Sequence, residues 1–321
     1  MFELMKKEPT RLNVFDYEIK NPDVCHQVND LDIDLLIVVF STSSSYERRY
    51  AIRRTYGNLI DINKYMDVSL SKLNVRFLFM VDFDERRLKS ILFEQNLFHD
   101  IVQINIPQGK LSETYRDFAL FDWTSKYCPQ ARFIFKTDDS IFINTFLLLK
   151  FINQNENDRF NFEQKKPLDI RQCLNLNIHI PFIHGFIRSN ELLSSYEKFI
   201  FLQNQISCQT YPNYLDYNLY LISNDARDLL ICTFYRQSNE LFFQSNIYIT
   251  GILSEYLNIQ RHTLFDYQIN FQEQSSCDYF FSRTDISRAF ACVHSSEKPD
   301  NLVNFYSIYW QFIINFQLNL K

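Results

Sequence analysis

The stretch RFIFKTDDSIFIN, residues 132–144, sets the fold expected of this chain. An apolar run ends in two adjacent carboxylates, Asp138 and Asp139, and apolar residues resume after Ser140. An apolar run bounded by polar residues is typical of a strand buried on both faces. The sequence therefore predicts a core strand whose carboxyl end presents two acids.

Three similar runs precede this strand, and helical spacing separates them. They are DLLIVVFS (34–41), VRFLFMVD (75–82) and DIVQINIP (100–107). Strands that alternate with helices of this length predict βαβ units and a mostly parallel sheet, which is the α/β class. Ligands of such sheets bind beyond the carboxyl ends of the strands. Asp138, Asp139 and the segment 41–54 all lie at such ends.

The second half of the chain is less regular. Residues 177–187 and 214–223 predict strands, and a helix is expected from Ser223 or Asn224. Segment 242–259 is expected to change from strand to helix around Ile247–Gly251. The aromatic tail, 302–320, has the spacing of an amphipathic helix that belongs to the core.

Composition excludes several classes of protein. The net charge is -5 and the sequence pI is near 5.7, without a basic stripe, so no nucleic-acid partner is expected. No apolar stretch approaches the 18 or so residues of a membrane span, so no membrane segment is expected in this chain. Seven Cys without a CxxC pair disfavour a zinc ribbon, and their spacing leaves the disulfide pairing open.

The acidic pair has two interpretations. Adjacent carboxylates suit a hard dication, Mg²⁺ or Mn²⁺, which shares its shell with substrate phosphates. Alternatively, Asp139 or Ser140 caps a turn and the other acid is solvated.

Further motifs decide between these interpretations. The sequence resembles the β-1,3-glycosyltransferases, the galactosyl- and N-acetylglucosaminyltransferase family with a GT-A fold, a Rossmann-type mostly parallel central sheet flanked by helices. The resemblance covers roughly residues 35–294. It is carried in the family's order by RRYAIRRTYG (48–57), FLFMVD (77–82), FEQNLFHDIVQ (93–103), WTSKYCPQARFIFKTDDSIFIN (123–144), YPNYLDYNLYLIS (211–223) and SNIYITGIL (245–253).

The resemblance implies a hexosyltransferase. Members transfer a sugar from a UDP-sugar donor to a glycan or glycoprotein hydroxyl with inversion, using Mn²⁺. The implied nucleotide-sugar-binding residues are Arg49, Arg53, Thr55, Asp138 and Asp139. The implied metal residues are Asp138, Asp139, Ser140 and His294, and the implied catalytic positions are Ser245 and Asn246.

This sequence departs from the family pattern where the chemistry is expected. Ser140 replaces the last acid of the triplet, and Ser245 and Asn246 replace both acids of the family's EDV block. The alternative is therefore an inactive member that binds a UDP-sugar or glycan, or that pairs with an active homologue. Arg49 and Arg53 also have the spacing of a solvated helix face. The alternative for His294 is an ordinary half-buried histidine.

The same resemblance implies an organisation and a location. Residues 1–33 are expected to form an N-terminal extension, 34–150 the nucleotide-sugar-binding half, and 151–321 the acceptor-side half of the same domain. The implied location is the Golgi lumen. Because no anchor or signal is visible, a cytosolic protein or an incomplete N-terminus is the other expectation, and a homo- or hetero-oligomer with a homologue is compatible with both.

Overall fold

The structure is a computed structural model. It describes residues 14–26, 32–66, 72–106, 109, 111–155, 167–168, 173, 178, 181–192, 210–236, 244–264, 268–270, 277–293 and 302–319.

Strands and helices alternate along the first half of the chain. The strands are β1 (Asp16–Ile19), β2 (Ile33–Ser41), β3 (Val75–Asp82), β4 (Ile101–Asn105), β5 (Ala131–Asp138), β6 (Ile141–Ile143), β7 (Phe182–Arg188), β8 (Tyr214–Ser223), β9 (Gln260–Thr263), β10 (Gln268–Asn270) and β11 (Ala289–Val293). The helices are α1 (Tyr46–Arg53), α2 (Leu59–Tyr65), α3 (Leu88–Phe98), α4 (Ser112–Tyr127), α5 (Thr145–Asn155), α6 (Asn224–Arg236), α7 (Ser254–Tyr256), α8 (Cys277–Arg283) and α9 (Leu302–Asn319). A π-helix, Ile247–Leu253, precedes α7.

The chain divides into two compact units. Unit 1 comprises Met1–Asp16, Asn105–Pro129 and Lys165–Leu264, and unit 2 comprises Tyr17–Ile104, Gln130–Gln164 and Phe265–Lys321.

Unit 2 holds the four strands that were predicted from their apolar runs, β2 to β5, together with β1, which was not predicted. They lie in the order β1-β4-β3-β2-β5, and the pairs β3–β4, β2–β3 and β2–β5 are parallel. The side chains from Leu35 to Val39 on β2 are fully buried, as expected of a central strand covered on both faces. The predicted mostly parallel α/β sheet is confirmed for this unit.

An aromatic cluster connects a second, smaller sheet of unit 2 to helix α9. The strand order is β10-β11-β6. Phe142 on β6 makes edge-to-face contacts with Tyr306 and Tyr309 of α9, at ring-centroid distances of 5.1 and 5.2 Å. The aromatic tail therefore belongs to the core, as its spacing predicted. Cys277 on α8 and Cys292 on β11 form a disulfide beside this sheet.

Unit 1 contains strands in the order β8-β7-β9, with β7 antiparallel to β8 and parallel to β9. Helix α6 begins at Asn224, as predicted, and Cys232 on it forms a disulfide with Cys173. The strand expected before Ile247 is wrong for the described residues, because the backbone is helical from Ser245 onward. Short apolar runs do not distinguish a buried strand from a buried helix, which explains the error.

Candidate functional site

The acidic pair lies at the carboxyl edge of the parallel strands of unit 2. Asp138 is the last residue of β5 and stands opposite Phe40 of β2 in the register. The main-chain N–H of Asp139 donates to the Phe40 carbonyl at 2.9 Å, which continues the ladder by one residue. This is the edge at which α/β sheets bind their ligands.

Asp138 closes the turn that follows β5. Its Oδ1 accepts hydrogen bonds from the main-chain N–H of Ser140, at 2.8 Å, and from the Ser140 hydroxyl. The turn-capping interpretation named Asp139 or Ser140 as the cap, but the side chain that caps this turn is that of Asp138. Ser140, the position where the family pattern has an acid, is engaged with Asp138 rather than directed elsewhere.

Asp139 is half-buried and held by neighbours from three elements. Its Oδ2 accepts from the Ser41 hydroxyl at 2.7 Å. Its main-chain carbonyl accepts from Arg48 Nη1 and from the Tyr306 hydroxyl, each at 3.3 Å. Burial raises the pKa of the Asp139 carboxyl, although the hydrogen bond from Ser41 and the charge of Arg48 oppose the shift.

The arginines expected at the nucleotide are bound to carboxylates of unit 2. Arg49 is fully buried, and its Nε and Nη2 donate to the two oxygens of Glu94 at 2.8 and 2.7 Å. Arg53 donates to Glu94 at 2.7 Å and forms a second bidentate pair with Asp100, at 2.7 and 2.8 Å. We call Arg49, Arg53, Glu94 and Asp100 the arginine clamp. Its two cations and two anions balance.

The clamp shifts the ionisation of its central acid. Burial alone would raise the pKa of Glu94, but the hydrogen bonds and charges of Arg49 and Arg53 outweigh it and hold the pKa below its ordinary value. Glu94 is therefore an ionised carboxylate in the core between two guanidinium groups.

Other predicted site residues have definite places. The Thr55 hydroxyl donates to the Ala51 carbonyl at 2.8 Å inside the core, and its nucleotide role stays a prediction. Tyr56, which occupies a Trp position of the family motif, is fully buried and donates to the Ile141 carbonyl at 2.9 Å. His294 lies outside the described residues.

The two positions at which catalytic residues were expected, Ser245 and Asn246, lie where the π-helix begins in unit 1. The Ser245 hydroxyl donates to Asp117 Oδ2 of helix α4, and both residues are buried. The Asn246 Oδ1 accepts from the main-chain N–H of Ile247 at 3.0 Å. Both side chains are thus engaged within unit 1, and Asp117 places a carboxylate against the position from which the family acid is missing.

The sequence interpretation missed several residues of these clusters. The segment 41–54 was predicted to lie at the ligand-binding edge without singling out Ser41 or Arg48, and Asp117 and Tyr306 were given no role. Ser41 could have been found, since it ends a strand parallel to β5 and the two ends share an edge. Asp117 could not, because its partner is 128 positions away.

The donor atoms of the acidic pair suit a hard dication. Asp138 and Asp139 offer carboxylate oxygens, and Mg²⁺ or Mn²⁺ is commonly held by one or two carboxylates together with substrate phosphates. Within the part of the chain that the structure describes, no group of three or more His, Cys, Asp or Glu residues could hold a metal. A cation at this edge would therefore rely on the pair, the Ser140 hydroxyl and its substrate.

A family comparison agrees with this arrangement. The galactosyltransferase family model matches residues 47–264, which is more than half of the chain. The chain belongs to the galactosyltransferase family. The matched range includes the clamp, the acidic pair and the start of the π-helix.

Curated relatives of this galactosyltransferase-family chain include β-1,3-transferases. A lactosylceramide 1,3-N-acetyl-beta-D-glucosaminyltransferase of Rattus norvegicus is 30% identical over 126 residues, which are 38% of this chain and 32% of the relative. A beta-1,3-galactosyltransferase 1 of Mus musculus is 26% identical over 144 residues, 44% of this chain and 41% of the relative. The matches thus span only about a third to two fifths of the length of these relatives.

Solved structures give a more distant likeness. A glycosyltransferase involved in glycosylation of the major capsid of PBCV-1 has a TM-score of 0.39 at 11% identity, covering 86% of this chain and 99% of that one. The galactosyltransferase LgtC, solved with donor and acceptor sugar analogs, has a TM-score of 0.38 at 9% identity, covering 85% and 95%. Among the described helices of the galactosyltransferase-family chain, none is long and apolar enough to cross a membrane.

Proposed function

We propose that this chain binds a UDP-sugar through a dication on Asp138 and Asp139 and transfers the hexose to an acceptor hydroxyl with inversion, as a β-1,3-type transferase. The acceptor would be a glycan or glycoprotein. The observation that carries the proposal is the charge distribution at the carboxyl edge of the sheet in unit 2. Family membership and the names of the relatives support the reaction class.

The charges at this edge favour a cation over a bare phosphate. Because Glu94 and Asp100 neutralise Arg49 and Arg53, the clamp leaves no net positive charge for a diphosphate. Beside it, Asp138 and Asp139 carry two negative charges, opposed by Arg48. A net negative edge would attract Mn²⁺, which Asp138 and Asp139 would hold and which would supply Lewis-acid stabilisation of negative charge on the leaving UDP.

Metal binding, charge balance and removal of the acceptor proton would each depend on different residues of the chain. Asp138 and Asp139 would hold the cation, with the Ser140 hydroxyl and His294 as the further ligands implied by the family pattern. Arg48 would limit the net charge of the pair. Ser245 and Asn246 occupy the family's acidic block, but neither side chain is a base at neutral pH, so removal of the acceptor proton is the weak step. Loss of a general base typically lowers the rate by about 10²- to 10⁴-fold.

The second candidate function is an inactive member that binds a UDP-sugar or glycan, or that pairs with an active homologue. The engagement of Asn246 with Ile247 and of Ser245 with Asp117 favours it, because both neutral side chains are used within their own unit. On either reading the location implied by the family is the Golgi lumen. The disulfides Cys173–Cys232 and Cys277–Cys292 support that location, since such bonds persist in oxidising compartments.

Binding and turnover separate the two functions. Purified protein is titrated with UDP by calorimetry, with and without MnCl₂, and UDP release from UDP-galactose and UDP-N-acetylglucosamine is measured with a lactose acceptor. We expect UDP binding that requires Mn²⁺ and is lost in Asp139→Ala. Turnover that is also lost in this variant supports the transferase, whereas binding without turnover supports the inactive member. Absence of UDP binding in the wild type contradicts the transferase and the UDP-sugar-binding form of the inactive member, and is compatible only with glycan binding or pairing with a homologue.

A restoration experiment locates the chemical defect. The double variant Ser140→Asp, Asn246→Asp returns acids to two of the three positions at which this chain departs from the family pattern. If the site is otherwise intact, we expect a rise in turnover of about 10²-fold or more, the range attributed to a general base. No rise, with UDP binding preserved, would place the defect elsewhere in the chain.

A further inference from the structure

The Ser41 hydroxyl joins the arginine clamp to the acidic pair. Arg49 Nη1 donates to Ser41 Oγ at 2.9 Å, and Ser41 Oγ donates to Asp139 Oδ2 at 2.7 Å. A guanidinium can only donate hydrogen bonds, so the hydroxyl hydrogen of Ser41 must be directed elsewhere. The Thr42 carbonyl is 3.4 Å from Oγ and already accepts from Arg49 at 2.5 Å. The hydrogen is therefore directed at Asp139.

Arg49, whose hydrogen bond to Ser41 directs the Ser41 hydroxyl hydrogen at Asp139, is fixed in the core. Arg49 is fully buried, and two of its three nitrogens are bound to Glu94. Glu94 is held in turn by Arg53, which is anchored on Asp100. The ion pair between Arg49 on helix α1 and Glu94 on helix α3 thus holds the Arg49 guanidinium in one orientation, with an N–H group directed at Ser41.

We propose that Ser41, with Arg49 and Glu94 behind it, is a positioning residue that orients the Asp139 carboxylate for a divalent cation. In this role neither Ser41 nor Arg49 touches the nucleotide, which differs from the contact that the sequence led us to expect of Arg49. The identity of the bound group rests on the proposed function, whereas the link from Ser41 to Asp139 does not.

Ser41→Ala tests the proposal with the fold least disturbed, because truncating Arg49 would break a buried ion pair. The probe is calorimetric titration with MnCl₂ in the presence of UDP. We expect Ser41→Ala to weaken Mn²⁺ binding about tenfold, as loss of one hydrogen bond to a charged group does. Ser41→Thr keeps the hydroxyl and is expected to restore binding. The matched control is Ser44→Ala, which removes an exposed hydroxyl of the same loop and should bind as the wild type does.

A second measurement needs neither metal nor nucleotide. Thermal unfolding of Ser41→Ala, Asp139→Ala and the double variant reports whether the two side chains are coupled. We expect the Tm change of the double variant to differ from the sum of the changes in the single variants, because each single variant already removes the hydrogen bond between the two side chains. Additive losses would overturn the proposal, as would unchanged Mn²⁺ binding in Ser41→Ala. Coupled losses in a protein that binds no UDP would support the orientation of Asp139 and contradict the proposed function alone.

Discussion

At the scale of single residues, the charge of Asp139 is unfavourable for folding but is the property that the proposed ligand site requires. The half-buried carboxyl has a raised pKa because burial disfavours its charged form. A raised pKa contributes stability below the unfolded-state value, near 3.9, and that contribution is lost as the pH rises through the folded-state value. At pH 7 the ionised group therefore costs folding free energy. This cost is explained if the ionised Asp139 carboxylate binds a ligand.

The first prediction follows from this cost. Asp139→Asn should leave the Tm at pH 7 unchanged or higher than that of the wild type, while Mn²⁺-dependent UDP binding is lost. Asn is nearly isosteric and can still accept from Ser41, but it carries no charge. Differential scanning fluorimetry and calorimetric titration measure the two effects. A clear fall in Tm at pH 7 would show that the charge of Asp139 stabilises the fold.

The second residue-scale prediction concerns Glu94. Glu94→Gln leaves the guanidinium groups of Arg49 and Arg53 without their shared charge, and breaking a buried ion pair costs about 3–5 kcal/mol. Urea unfolding at pH 7 gives the loss in the free energy of unfolding. Glu85→Gln, at an exposed position nearby, is the matched control and should cost far less.

The effect of Glu94→Gln should depend on pH. Because the folded-state pKa of Glu94 is lowered, its charge contributes stability above the unfolded-state value of about 4.3 and loses it as the pH falls through the folded-state value. The difference in stability between wild type and variant should therefore be full at neutral pH and shrink below about pH 4. If the difference in the free energy of unfolding stayed constant over this pH range, Glu94 would not be an ionised carboxylate in the clamp.

At the scale of elements, helix α4 and the start of the π-helix are joined by a buried pair within unit 1. The Ser245 hydroxyl donates to the Asp117 carboxylate, and hydrogen bonds to charged groups contribute about 1.5–3 kcal/mol. We predict non-additive losses in a cycle of Ser245→Ala, Asp117→Ala and the double variant, with a coupling energy of about 0.5–3 kcal/mol. Urea unfolding measures it. Additive losses would mean that the pair does not connect these two elements.

The elements also show what can be predicted from sequence. Strands β2 to β5 were predicted correctly because each is an apolar run whose signal is contained in eight or nine neighbouring residues. The hydrogen bond that precedes helix α5 is also local: Asn144 Oδ1 accepts from the N–H of Leu147 at 3.4 Å. A helix was expected from around Ile247–Gly251 onward, but the strand expected before it was wrong, because the apolar residues around Ile247 fit a strand and a buried helix equally well.

The candidate site was only partly predictable for a related reason. The acidic pair and the edge where it lies followed from strand order and local sequence. Arg49 had been expected on a nucleotide or in solvent, and the structure buries it on Glu94, which is 45 positions away. The spacing of Arg49 and Arg53 on one helix gives no information about which carboxylate a second helix brings to them.

At the scale of the whole molecule, the disulfides give a further prediction. Cys277–Cys292 closes a separation of 15 residues and Cys173–Cys232 one of 59, for which chain entropy predicts stabilisation of about 3 and 4 kcal/mol. Each bond lies within one unit. We expect dithiothreitol to lower the Tm markedly, and Cys277→Ser, Cys292→Ser to reproduce part of that loss without reductant. An unchanged Tm in the reduced protein, with reduction verified by thiol titration, would show that neither bond supports the fold.

The four members of the arginine clamp neutralise one another's charges without any other residue, and this has an evolutionary consequence. None of the clamp's four members is Ser140, Ser245 or Asn246, so substitutions at those three positions leave the deepest ion pairs of unit 2 untouched. A duplicated gene could accumulate such changes, and its product would still fold and escape quality control while its chemistry drifted. The contribution of the clamp to folding is thus independent of the three positions at which the family pattern has acids.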